Sequence, residues 1–122
     1  MDFTSGQFDF PTTSGSGPQS LSLSFSFEHR ISKASAVLLG YEAFFMNGDH
    51  NFGRLIVNLD TQIVNDPAAG QQVVVTATFG LRDFSGDWDD PYTGRVQFVL
   101  ITEPQHRMPP VAVAGVVGMG MP

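Results

Sequence analysis

Residues 20–27 read Ser20-Leu21-Ser22-Leu23-Ser24-Phe25-Ser26-Phe27. Serine alternates with a large apolar side chain without a fault, and a period of two marks a strand with one greasy and one polar face. The same rhythm recurs downstream. Leu55, Val57, Leu59, Thr61 and Ile63 alternate with Arg54, Asn58, Asp60 and Gln62. Val73, Val75, Ala77, Phe79 and Leu81 then alternate with Thr76, Thr78 and Arg82. Val96, Phe98 and Leu100 follow the rule against Gln97, but Val99 and Ile101 make that segment apolar on both faces. A strand greasy on both sides is central in its sheet or covered by a partner.

Between Ala34 and Met46 two periods compete. Ile31, Ala34, Leu38, Tyr41 and Phe45 would line one side of a helix, whereas Val37, Tyr41, Phe44 and Phe45 prefer strands and Gly40 suggests a bulge. The strand is the favoured reading. Asn47-Gly48-Asp49, Asn65 to Gly70 and the long segment from Asp83 to Gly94 carry turn residues. Five strand candidates separated by such turns predict an all-β chain: an antiparallel β-sandwich, or a small barrel, of about 5–7 strands.

A length of 122 residues suits one domain, and the absence of cysteine excludes disulfides, thiolate metal sites and cysteine nucleophiles. The net charge of −6 has the wrong sign for holding a phosphate backbone, so nucleic acid is not an expected partner. No apolar run reaches the roughly 18 residues of a membrane-spanning helix, and Met1 is not followed by a basic and then greasy leader. Cytoplasmic synthesis is the expectation, with a virion or an extracellular particle as a possible destination.

Composition divides the chain in three. Residues 1–20 form a Ser/Gly-rich arm carrying Phe3, Phe8 and Phe10, residues 21–103 form the sandwich, and residues 104–122 form an apolar tail. From Met108 that tail reads MPPVAVAGVVGMGMP, with no charge and no hydrogen-bonding side chain. Greasy termini are costly to leave in water, which makes Phe3, Phe8, Phe10, Val111, Val113, Val116, Val117 and Met119 candidate assembly contacts.

Chemistry-bearing residues concentrate in Asp83-Phe84-Ser85-Gly86-Asp87-Trp88-Asp89-Asp90. Asp83, Asp87, Asp89 and Asp90 would suit Ca²⁺, which takes oxygen ligands, although their spacing is not that of an EF-hand. The competing reading is an acidic, solvated hairpin loop with Trp88 tucked onto the sandwich. Arg82, Trp88, Tyr92 and Arg95 are candidates for a glycan, which stacks on rings and hydrogen-bonds to charged groups; otherwise these rings cap the end of the sandwich. His29, His50 and His106 share no metal-ligand spacing. With no nucleophile elbow and no phosphate-cradling loop, neither an enzyme nor a resident cofactor is expected.

From Leu23 onward, FSFEHRISKASAVLLG, NFGRLIVNL, VVVTATFGL and VQFVLI in succession resemble the H-type lectin sandwich over roughly residues 21–102. That resemblance implies a short antiparallel domain that assembles as trimers or hexamers, of a kind also found on phage tail fibres. Phe98 stands where the family's closing strand carries Trp, the family's cysteines are missing, and no sugar-binding residue carries over. The leading expectation is a non-enzymatic structural subunit of a larger particle, such as a virion, phage tail or contractile-injection device. Its partners would be copies of itself and other assembly proteins. The alternative is a carbohydrate- or receptor-binding module using the 82–95 loop.

Overall fold

The alternating segments form strands that pair antiparallel throughout. The computed structural model describes residues 1–13, 17–48, 50–66 and 70–105. These contain six strands and no helix: β1 (Asp2–Thr13), β2 (Gln19–Ser26), β3 (Ile31–Phe45), β4 (Phe52–Asp66), β5 (Gly70–Asp83) and β6 (Tyr92–Pro104). They make two three-stranded sheets, β1-β6-β3 (sheet A) and β2-β5-β4 (sheet B). The chain passes from one sheet to the other at every connection except β4–β5.

The inner faces of the two sheets make one core. Val73, Val75, Ala77, Phe79 and Leu81 of β5 are buried, as are Tyr92, Val96, Phe98 and Leu100 of β6. These central strands carry the continuous apolar rows, as expected for segments with a neighbour on each side. Leu21 and Phe25 from β2 and Leu55, Val57, Leu59 and Ile63 from β4 pack against them. Burying each large side chain contributes about 1.5–3 kcal/mol. On the outside of sheet B, the serines of β2 meet threonines of β5, with Ser20 against Thr78 at 3.0 Å and Ser22 against Thr76 at 2.8 Å.

The favoured strand across residues 34–46 is found, and one expectation changes. Residues 34–46 lie wholly outside any helix: Ala34 to Phe45 belong to β3, and the register slips between Leu38 and Gly40. That slip is the bulge Gly40 suggested: the core-facing positions change from even numbers, Ala34 and Ala36, to odd ones, Ala43 and Phe45, which is why a helical stripe could be drawn through it. The N-terminal arm is corrected outright for residues 2–13. This segment is β1, zipped along β6 from Asp2 opposite Thr102 to Phe10 opposite Gly94. Phe8 and Phe10 are buried in the chain's own core, stacked on Phe98 and tilted against Phe79, so they are not contacts for a neighbour. Phe3, on the other face, remains 60% exposed. The tail contacts Val111, Val113, Val116, Val117 and Met119 lie outside the described residues.

Candidate functional site

The loop between β5 and β6 sits beside the connection from β3 to β4. Its position follows from register: Phe52, at the start of β4, is opposite Asp83, at the end of β5. The β3–β4 connection turns at Gly48, whose φ of 104° lies in the left-handed region glycine adopts without strain. Met46 N–H donates to the Pro91 carbonyl at 2.9 Å and Phe84 N–H to that of Asn51 at 3.2 Å, so the two connections are tied at both ends.

Between them lies a polar cluster. His50 Nδ1 is 3.7 Å from Asp83 and its Nε2 is 3.6 Å from Asp90, so one imidazole stands between two carboxylates. Asn47 completes the arrangement, donating to Asp90 at 3.1 Å and lying 2.8 Å from His50 Nε2 through its carbonyl oxygen. Phe45 meets the His50 ring edge-on at 4.8 Å. Asp83 also accepts from the hydroxyl and, at 3.0 Å, the amide N–H of Ser85. Hydrogen bonding from the Ser85 side chain, then from Asp90, holds the Asp83 carboxyl below its ordinary value; the Ser85 amide and the His50 charge act in the same sense, and burial opposes them.

Of the four aspartates proposed for a metal, Asp83 and Asp90 therefore come together, while Asp87 and Asp89 stay exposed and apart from this cluster. The third group with ligand atoms within 4.8 Å is His50, which the sequence pairs only with its neighbour Asp49. The residue that matters is brought in by strand pairing, a signal that no local spacing contains.

The proposed glycan residues separate. Tyr92 is fully buried, and its hydroxyl donates to the carbonyls of Gly17 at 3.1 Å and Phe79 at 3.3 Å. Burial pushes its pKa upward. Arg95 points out from sheet A, 3.3 Å from Glu42 and 4.0 Å from Asp9. Arg82 points out from sheet B, because Leu81 on the same strand points into the core. Trp88 covers the notch at the beginning of β2. Its ring lies 3.0 Å from where a Cβ on Gly80 would stand, beside Pro18, and 6.2 Å from the Tyr92 ring. The Arg82 guanidinium lies over Trp88 at 5.8 Å, a cation–π distance. Trp88 thus caps the sandwich between the buried Tyr92 and the Arg82 guanidinium, and Arg95 lies on the other sheet.

A second feature is absent from the expectations above. β3 is an edge strand whose only ladder partner in the described sheets is β6, with side-chain bonds from Thr61 of β4 to the Ala34 carbonyl and from the Ile31 N–H to Gln71 of β5. Its middle exposes Val37, Leu38, Leu39, Tyr41 and Phe44, followed by Met46. Because the bulge falls in the middle of this run, apolar side chains emerge on both faces of the strand.

No family model matches this chain, and neither a curated protein nor a solved structure does.

Proposed function

We propose that this chain is a non-enzymatic assembly subunit that associates with copies of itself along the edge of β3. The observation that carries the reading is the row Val37, Leu38, Leu39, Tyr41, Phe44 and Met46. Each of these side chains is between 42% and 62% exposed. Divided between the two faces of the strand, they leave apolar surface in water on either side of the β3 edge.

Charge and backbone favour a second copy as the occupant. Within Val37–Met46 the single charged residue is Glu42, and Arg95 engages it. Two copies therefore meet there without repulsion, despite a net charge of −6 each. Edge strands are commonly blunted by proline, shortness, charge or bulges. β3 has 15 residues and no proline, and its charges, Lys33 and Glu42, and its bulge at Leu38/Gly40 leave Val37–Leu39 and Tyr41 uncovered. Antiparallel pairing of β3 with its counterpart about a two-fold axis would satisfy the free backbone groups and present the same patch from both sides.

The glycan reading of the 82–95 loop ranks second, because Tyr92 is fully buried beside Trp88 and Arg95 belongs to the other sheet. Native mass spectrometry and light scattering over a concentration series test the assembly. Wild type should be oligomeric at micromolar concentration, and Leu39→Lys with Tyr41→Lys should yield a monomer with an unchanged far-UV circular dichroism spectrum. A wild-type monomer at millimolar concentration would overturn the proposal.

A further inference from the structure

We infer that the outer face of sheet B holds an anion-binding site built from Arg54 and Arg82 beside Trp88, which takes the carboxylate or sulfate group of a ligand. The two arginines are direct cross-strand partners in the β4–β5 register. Partners across an antiparallel pair project from the same face with Cβ atoms about 5 Å apart, so two like charges stand side by side, an unfavourable placement.

Among the described residues no carboxylate relieves it. Neither arginine makes an ion pair or a hydrogen bond among the described residues, although the chain has twelve acidic side chains against six basic ones. Arg95 shows the contrast: it lies between Asp9 and Glu42. Of the acids that follow Arg82, Asp83 is committed to Ser85 and His50 and Asp90 to Asn47 and His50, while Asp87 and Asp89, exposed on either side of Trp88, form no ion pair with either arginine.

Arg82 is also held in position. Its guanidinium lies over the Trp88 ring, and its Nε is buried without a partner, so stacking and packing rather than hydrogen bonds fix it. Arg54 is exposed and free to swing in. A pre-oriented guanidinium loses little freedom on binding, and a second beside it supplies the further N–H donors a carboxylate or sulfate accepts. Ile56 and Gly80, the next pair on this face, give the site an apolar margin. The site lies on sheet B, whereas the β3 edge belongs to sheet A.

Trp88 is the chain's single tryptophan, so its fluorescence reports this site alone. The full chain is titrated with sodium sulfate and with 3′-sialyllactose, against lactose and with ionic strength held constant by chloride. The expected result is a saturable change with sulfate or sialyllactose and none with lactose. Arg54→Ala should weaken it at least tenfold and Arg54→Lys less. Arg54 is exposed, so these variants keep the fold, which circular dichroism checks. Saturation by sialyllactose assigns the site to acidic sugars, and saturation by sulfate alone assigns it to the free anion. Absence of saturation with both, an equal response to lactose, or wild-type binding by Arg54→Ala would overturn the inference.

Discussion

Replacing Gly6 by alanine tests whether β1 belongs to the sandwich. Gly6 is opposite Phe98, and a Cβ built there would fall inside the Phe98 ring, against three of its carbon atoms. The ring has no retreat. Phe98 is fully buried, with Phe8 stacked on it at 5.3 Å and Phe25 edge-on at 6.2 Å. Overpacking of this kind costs about 1–3 kcal/mol. Removing a glycine from a strand returns about 0.5–1 kcal/mol, because the unfolded chain loses freedom. The net expectation is destabilisation by about 1–2 kcal/mol, a fall in Tm of about 5–8 °C for a domain this size. Urea titration measures it, with Phe98→Leu as the second arm of a double-mutant cycle. Shortening the ring makes room for the methyl, so the double variant should be more stable than additivity predicts by at least about 0.5 kcal/mol. Strict additivity, or a Gly6→Ala variant as stable as wild type, would show that β1 does not lie on Phe98 and would restore the reading of residues 2–13 as an external arm.

Two further outcomes concern titration. The Asp83 carboxyl is held below its ordinary value of 3.8, so its contribution to the folded loop is present above that pH and disappears as pH falls through the lower folded-state value. Hydrogen exchange at the Ser85 amide should therefore accelerate in that acid range, and Asp83→Asn should abolish the transition; an unchanged acid profile in the variant would refute the assignment. The Tyr92 hydroxyl is shifted the other way, so the unfolded chain releases its proton first and stability falls as pH rises above about 10. Tyr92→Phe should cost about 0.5–1.5 kcal/mol for the hydrogen bonds to Gly17 and Phe79 and remove that alkaline slope, both readable by denaturant titration at several pH values.

Strands β2, β4, β5 and β6 are legible in the sequence because each keeps apolar residues at alternate positions along its inner face, even where, as at Val99 and Ile101, the outer face is apolar too. β1 obeys the same rule in disguise. Thr4, Gly6, Phe8 and Phe10 face inward and Phe3, Ser5, Gln7 and Asp9 outward, but at Gly6 the inner position is empty and the Phe98 ring of the neighbouring strand fills it. A pattern that borrows a side chain from residue 98 cannot be read within residues 1–20. The bulge near Gly40 blurred β3 for a related reason, since one extra residue exchanges the faces. The His50 cluster and the Arg54–Arg82 pair depend on register between segments about 30 residues apart, which composition and motif spacing do not record.

The order in which strands join the sheets has a consequence for synthesis. Sheet B needs only β2, β4 and β5, but β1 and β3 touch no strand of sheet A except β6, the last one described. A nascent chain that has emerged as far as Asp83 thus holds two orphan strands, one of them the greasy β3, and Asp9 must wait for Arg95 to arrive. Such long waits make folding slow and leave sticky surface uncovered on the ribosome. Completion of β6 is therefore the single step that gives both orphan strands their ladder and closes the core over Phe8 and Phe10.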